Sequence, residues 1–295
     1  MRPVALRRSW LFVGAADTGA IAASNNSAAD ACIQEFEDFC VPELREQARQ
    51  MMADVLADWR ARNKVASVRI NPLEDEDGLK DLYAAMKYGA HAILIPKANR
   101  PEQIVRLARH ITELEAEFGR PAGATEIIPN IEQAQGLEHA YQILTSHSQI
   151  TASLVASEDM CVSLHAPRQQ KGGILDYVRE RFHIACCAAN ITSIDMPYTW
   201  IDDEGVTQQT MLARSLGMTS KSTVNAKHCQ IINTLFSPSD DEIEQAEQII
   251  SAFETARARG EGQVICNGIK VEVPSYLNAQ QILLRAKALR IAEEG

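Results

Sequence analysis

The sequence predicts an α/β protein, a (β/α)8 TIM barrel with a C-terminal helical extension, and three observations carry that prediction. Eight short runs rich in β-branched and aliphatic residues recur within the first 236 positions of the 295-residue chain. Between them lie polar stretches whose apolar residues return every three or four positions, the alternation expected of β/α units around a parallel sheet. Neither a Gly-x-Gly-x-x-Gly nor a Walker loop follows any of the runs, which argues against an open nucleotide-binding sheet.

The expected strands are Trp10 to Val13, Ala31 to Phe36, Val65 to Ile70, Ala92 to Ile95, Glu126 to Ile131, Ile150 to Ala156, Ile191 to Met196 and the weaker Thr219 to Val224. From Glu43 to Arg62 the positions Leu44, Ala48, Met51, Met52, Val55, Leu56 and Trp59 paint one helical stripe for packing on a sheet. Pro101 suits a first helical turn, and Ile104, Leu107, Ala108, Ile111 and Leu114 then share a face until Gly119. Leu137, Ala140, Tyr141 and Leu144 continue the scheme, as do Val178, Phe182, Ala185 and Ala189. Beyond Phe236 the alternation stops. Ser239 with Glu242 makes a capping box for a helix lined by Ile243, Ala246, Ile249, Ile250 and Phe253. A glycine-broken segment from Gly260 to Gly268 then leads through Lys270 to Pro274 into a last helix. The expected division is therefore a barrel over 1–236 and an extension over 237–295, covering a site on its own chain or on a neighbouring subunit.

Charge narrows the function. With 39 acidic against 29 basic side chains the net charge is -10, and no basic stripe is present, so nucleic acid and anionic membrane surfaces are excluded as main partners. No run approaches membrane-spanning length and the N-terminal apolar run is too short for a signal peptide, so a cytoplasmic protein is expected. Seven cysteines without a Cys-x-x-Cys pair read as reduced, mostly buried thiols, with Cys186 and Cys187 in the core. The seven histidines follow no ligand spacing and read as surface or packing residues. The acidic run Glu74 to Asp77 reads as a solvated loop rather than a calcium site.

In a barrel, the residues at the C-terminal strand ends converge on one mouth. Here they are Glu35, Glu37 and Asp38, Arg69 and Asn71, Lys97, Glu132, Asp159, Asp195 and Lys221. Carboxylates without a His or Cys partner suit a hard cation such as Mg2+, which takes one or two protein carboxylates and keeps positions for water and substrate oxygens. Glu132 and Asp159 fit that role, against the alternative of salt bridges at the barrel rim. Arg69 beside such an ion would hold a carboxylate or enolate oxygen in its planar fork, or else pair with Glu37 or Asp38. Lys97 and Lys221 are divided between phosphate or carboxylate contacts and structural ion pairs. Arg7 and Arg8 would meet CoA phosphates or form a frayed basic terminus.

Nine short pieces stand in an order found in one family. They are Arg8 to Val13, Glu35 to Asp38, Val68 to Asn71, Pro96-Lys97, Ile131-Glu132, Ser157 to Asp159, Ile194-Asp195, Phe236 to Pro238 and Val271 to Pro274. Together they resemble the citrate lyase β-subunit-like family of the HpcH/HpaI aldolase/citrate lyase superfamily, over nearly the whole chain. The resemblance implies a TIM barrel with a C-terminal extension, commonly a homotrimer, acting with Mg2+ (Mn2+ as a substitute) on CoA thioesters of hydroxy acids. Glu132 and Asp159 match the metal-ligand positions and Arg69 the substrate-binding arginine. Glu272 falls where relatives carry an aspartate supplied across a subunit interface. Arg8 and Lys97 are assigned to substrate binding. Glu37, Asp38 and Glu158 would support Arg69 or metal-bound water rather than touch the ion. If strand alternation runs through Glu158 and Asp159, only one of them enters the barrel, and the family register selects Asp159.

Three departures bear on the acyl substrate and the CoA grip. Gly14-Ala15 stands where relatives usually have Pro-Gly, Ala156 stands where they allow glycine, and Ser220 to His228 keeps little beyond Lys221 and Val224. The implied activity is a carbon-carbon lyase that cleaves citramalyl-CoA or malyl-CoA to acetyl-CoA and a 2-keto acid. Arg69 would stabilise the oxyanion and Glu272 would protonate the enolate carbon. Two alternatives stand beside it, a malyl-CoA-type thioesterase and a subunit that works only within a citrate-lyase-type complex.

Overall fold

The computed structural model describes residues 1–167 and 172–294. Eight parallel strands close into a barrel in chain order: β1 (Ser9–Gly14), β2 (Ala31–Glu35), β3 (Val65–Arg69), β4 (Ala92–Ile95), β5 (Glu126–Ile131), β6 (Ala152–Val155), β7 (Thr192–Tyr198) and β8 (Ser220–Thr223), with β8 hydrogen-bonded back to β1. All eight expected strands are present, and the (β/α)8 class holds.

Side-chain alternation decides what each strand delivers. Trp10, Phe12, Ala31, Ile33, Val65, Ala92, Leu94, Ile128, Ala152, Leu154 and Ile194 form one buried cluster inside the barrel. Their neighbours in sequence, such as Leu11, Cys32, Val68, Ile93 and Ile127, are buried as well, beneath the surrounding helices. Strands covered on both faces read as continuous apolar runs, and this is why they were legible.

The helices on the barrel are α1 (Thr18–Asn25), α2 (Arg45–Ala61), α3 (Glu76–Lys87), α4 (Pro101–Glu117), α5 (Ala134–Glu138), α6 (Ala140–Leu144), α7 (Glu158–Ser163), α8 (Ile174–Ala188), α9 (Asp203–Ser215) and α10 (His228–Phe236). The expected stripe of α2 is the buried one, with Ala48, Met52, Val55, Leu56 and Trp59 inward. The stretch expected as one helix over 137–144 divides at His139 into α5 and α6. Within α5, Gly136 packs so tightly on the loop after β4 that a Cβ there would lie 2.4 Å from the Ala98 carbonyl oxygen.

Two local expectations are corrected. The acidic run is a solvated turn only in its first half, with Glu74 and Asp75 exposed ahead of α3: Glu76 and Asp77 occupy the first turn of that helix, where the dipole favours negative charge, and Arg45 and Arg49 both bind Asp77. Cys187 is exposed, because it lies on the outer side of α8 while Cys186 faces the sheet.

The chain divides into two compact units, one over Met1–Thr234 and one from Leu235 onward. In the second unit Ser239 caps α11 (Asp240–Ala258) through the expected capping box with Glu242. The glycine-broken segment leads into a β-hairpin of β9 (Val264–Cys266) and β10 (Ile269–Val271). Asn267 and Gly268, at φ of 51° and 77°, make its two-residue turn, and an Asn-Gly pair between two apolar runs is the signal that marks such a hairpin. The last helix, α12 (Val273–Glu294), packs on α11, with the Phe253 and Tyr276 rings 4.9 Å apart.

Candidate active site

Inward alternation carries Glu35 at the end of β2 and Arg69 at the end of β3 to the barrel mouth, two and four residues beyond core-facing Ile33 and Val65. Glu35 is fully buried. It accepts the backbone N–H of Glu37 at 2.7 Å, that of Phe39 at 2.6 Å and Arg69 Nε at 2.8 Å. One carboxylate therefore folds the loop after β2 and aims the guanidinium. Arg69 Nη2 donates to Asp38 at 2.8 Å, and Nη1 lies 3.3 Å from Glu37 and 3.7 Å from Glu132. The guanidinium also sits 5.1 Å from the centre of the Phe12 ring. Burial opposes its charge, but Glu35, Glu132 and Glu37 together outweigh that and hold its pKa above the ordinary arginine range.

Lys97 follows β4 in a left-handed backbone conformation, φ 49°, uncommon for a residue with a Cβ. In it the Lys97 N–H donates to Glu132 Oε1 at 2.6 Å while its ammonium pairs with Glu37. Glu132 is fully buried at the end of β5, and its Oε2 has no hydrogen-bond partner among the described residues. Burial pushes its carboxyl pKa up to about 8. Arg69 pulls the other way, and the negative charges of Glu37 and Asp159 add to the rise. Its second oxygen is thus met only by the distant Arg69 guanidinium and lacks a hydrogen bond.

Asp159 is half-buried and Glu158 exposed. Strand alternation does not separate them, contrary to expectation, because β6 ends at Val155 and both acids lie in the first turn of α7. They face different ways because successive helical residues are about 100° apart. Glu158 accepts a hydrogen bond from Thr199 at 3.0 Å. A cleft opens between them and Arg69, walled by Phe12, Phe39, Leu154, Ala156, Pro197 and Val224.

Other strand-end charges do not join this group. Asp195 and Lys221 have the opposite alternation, one residue off inward-facing Ile194 and Ser220, and they lie outside the barrel wall. There Asp195 bridges Arg179 at 2.7 Å and Lys221 at 2.6 Å, beside a second cavity that also holds Tyr198 and Trp200. Asn71 turns away to Asp81 and the Phe36 carbonyl. Arg8 is corrected outright as a substrate ligand. It precedes β1, at the N-terminal rim opposite the mouth, where its backbone N–H and its guanidinium both bind Asp30. Arg7 likewise forks onto Glu126, the first residue of β5. Glu272 follows β10 in the C-terminal unit, exposed, with Lys270 2.8 Å away. The residue with no assigned role that the site depends on is Glu35. Its signal was present in the sequence, as an acid in step with Ala31 and Ile33.

Among the described residues no three His, Cys, Asp or Glu side chains gather into a chelating cluster. The arrangement instead offers Glu132, with its unpaired oxygen, and Asp159. Two carboxylates with open positions suit a cation that retains water and binds ligand oxygens.

Residues 8–226 match the HpcH/HpaI aldolase/citrate lyase family. The citrate lyase subunit beta of Haemophilus influenzae is 30% identical over 284 residues, covering 96% of this chain and 98% of that protein. The L-malyl-CoA/beta-methylmalyl-CoA lyase of Rhodobacter capsulatus is 26% identical over 311 residues, covering 98% and 97%. The CitE protein of Mycobacterium tuberculosis, solved in complex with magnesium, acetoacetate and coenzyme A, superposes with a TM-score of 0.77 at 22% identity over 96% of this chain and 98% of that one, a likeness of fold. The chain belongs to the HpcH/HpaI aldolase/citrate lyase family.

Proposed function

We propose that this protein is a Mg2+-dependent carbon-carbon lyase that cleaves a short 3-hydroxyacyl-CoA, of the citramalyl-CoA or malyl-CoA type, to acetyl-CoA and a 2-oxo acid. The observation that carries the reading is Glu132: a fully buried carboxylate with one unpaired oxygen, beside Arg69 at the mouth of a closed barrel. Acyl-CoA chemistry agrees with the name of a malyl-CoA lyase relative and magnesium with a neighbour solved in complex with it, and the carbon-carbon lyases among the relatives support the reaction class.

Glu132 and Asp159 would hold the ion. When bound, Mg2+ supplies Lewis acidity to the hydroxyl and carboxylate oxygens of the substrate. Arg69 contributes positive charge where the oxygen becomes an oxyanion, and Glu35 and Asp38 keep its fork from rotating. Lys97 holds Glu37 and, through its N–H, Glu132. The C3 hydroxyl gives its proton to water at the mouth, the bond between C2 and C3 breaks with its electron pair passing to C2 as the enolate of acetyl-CoA, and the C3–O bond becomes the carbonyl of the 2-oxo acid. Phe12, Phe39 and Leu154 keep bulk water from the enolate face. Glu272 would return a proton to C2 in an assembled homo-oligomer, in which a neighbouring subunit would bring it to the mouth.

Purified protein incubated with citramalyl-CoA, malyl-CoA and citryl-CoA should release a 2-oxo acid with Mg2+ and none after chelation. Asp159→Ala should abolish that release. Free malate without a 2-oxo acid would replace the lyase with a thioesterase, and inactivity on every free CoA thioester would make the chain a subunit of a larger complex.

A further inference from the structure

We propose that Gln103, in the first turn of α4, is a positioning residue for the cation site: it holds Lys97 in the left-handed conformation that turns the Lys97 backbone N–H onto Glu132. The proposal rests on the reading of Glu132 as a ligand of the ion.

The loop after β4 reaches Glu132 through one backbone group, the Lys97 N–H, at 2.6 Å. Lys97 makes that contact at φ 49°, where the Cβ of an L-residue is crowded by the backbone. A conformation of this kind persists only where the surroundings over-determine it. Gln103 supplies the restraint. Its Nε2 donates to the Lys97 carbonyl at 3.3 Å, while its Oε1 accepts the N–H of Asn99 at 2.8 Å and of Arg100 at 3.0 Å. One amide group therefore fixes the exit from Lys97, as Glu132 fixes the entry. Starting the helix requires the acceptor alone, and a glutamate at this position would cap as well as a glutamine. The donor half is spent on a carbonyl three residues ahead of Pro101, the first or second residue of α4, and so serves the loop and not the helix.

The segment that carries Glu132 grips the same loop from the other side. The Ala98 N–H donates to the Asn130 carbonyl at 3.0 Å, Asn99 Nδ2 donates to Gln133 Oε1 at 2.5 Å, and Gly136 packs on the Ala98 carbonyl. Residues 98 and 99 are thus tied to the neighbours of Glu132, which leaves Lys97 as the one place where the loop can give. Without Gln103, Lys97 is free to relax to negative φ, and its N–H then swings off Glu132 Oε1. The other oxygen of Glu132 has no hydrogen bond among the described residues, so nothing would fix the rotation of the carboxylate. A ligand that loses its orienting partner binds its ion about 10–100-fold more weakly.

Calorimetric titration of the full-length protein with Mg2+, read beside its melting temperature, separates positioning from capping. Gln103→Glu keeps the acceptor and adds a negative charge to the first turn of the helix, so the melting temperature should hold or rise. Its Kd for Mg2+ should nevertheless increase by about tenfold or more, against the attraction that an added negative charge exerts on a cation. Gln103→Met loses both halves of the amide, and should lower the melting temperature while weakening Mg2+ to a similar degree. Turnover of Gln103→Glu should return at saturating Mg2+, as a loss confined to ion affinity requires. A parent protein that binds Mg2+, with the same Kd in Gln103→Glu, would overturn the inference and leave the cation site standing. Absence of Mg2+ binding in the parent would overturn the reading of Glu132 and the inference with it.

Discussion

Replacing Glu132 with glutamine tests how the mouth stores its charge. Burial raises the Glu132 pKa from 4.5 to about 8, so between these values the folded chain keeps a proton that the unfolded chain has released. Stability from this group is therefore greatest below pH 4.5 and is lost as pH rises towards 8. At about 1.4 kcal/mol per unit, the loss over the whole interval is about 5 kcal/mol. Glutamine cannot titrate, so the unfolding free energy of Glu132→Gln should gain on the parent protein steadily across this window. Mg2+ should act in the opposite sense on the parent alone. An ion must displace the proton, so its affinity should rise by up to about tenfold per pH unit below 8 and level off above. Urea unfolding from pH 5 to 9, with and without Mg2+, measures both slopes. Parallel profiles for the two proteins, or Mg2+ stabilisation independent of pH, would refute the assignment of Glu132 as a buried, cation-seeking carboxylate.

Arg69→Met should destabilise the protein by about 3–5 kcal/mol in urea unfolding and abolish cleavage, because it leaves the fully buried Glu35 without its charged partner. Arg8→Ala should lower the melting temperature while leaving the KM for the CoA thioester unchanged, since its partner Asp30 sits on the opposite rim from the mouth. His91 is held at a pKa of about 4, chiefly by burial and then by nearby arginines, below its ordinary 6.5. The folded state therefore refuses a proton that the unfolded state takes, and stability falls as pH drops from 6.5 to 4. His91→Gln should flatten this acid limb, by at most about 3 kcal/mol before solvent screening reduces it.

The strands were legible because a doubly covered barrel strand must be apolar on both faces, so the runs stand out from any background. The helices were legible in proportion to the contrast of their stripes. α2 and α4 pack large aliphatic residues against the sheet, whereas α1 is built from small residues and buries only Ser24, leaving no period to read. The site was legible in type but not in alternation. A list of charges at strand ends mixes Glu35, Arg69 and Glu132, which point inward, with Asp195 and Lys221, which point outward into a separate ion network. Only the register of a strand, fixed here by Ile33, Val65 and Ile128, separates the two groups. The first turn of α7 was misread for a related reason: an apolar run followed by acids looks the same whether the strand continues or a helix begins.

Two carboxylates at the mouth are equally buried and very differently supported. Glu35 accepts from two backbone N–H groups and from Arg69, so its charge is met on every side by the fold itself. Glu132 accepts one backbone N–H and leaves its second oxygen unpaired, 3.7 Å from an Arg69 that is already shared among three other acids. A folded chain that had only to balance charge would give the second oxygen a donor or place an apolar residue there, because a buried unpaired acceptor costs about 1–3 kcal/mol. The deficit at Glu132 is thus localised to one atom, and Asp159 adds to its negative potential rather than relieving it. A structural acid is recognised by how fully it is satisfied. Here the acid left incomplete marks where a cation belongs, and Glu35, the complete one, is what keeps Arg69 from filling that position.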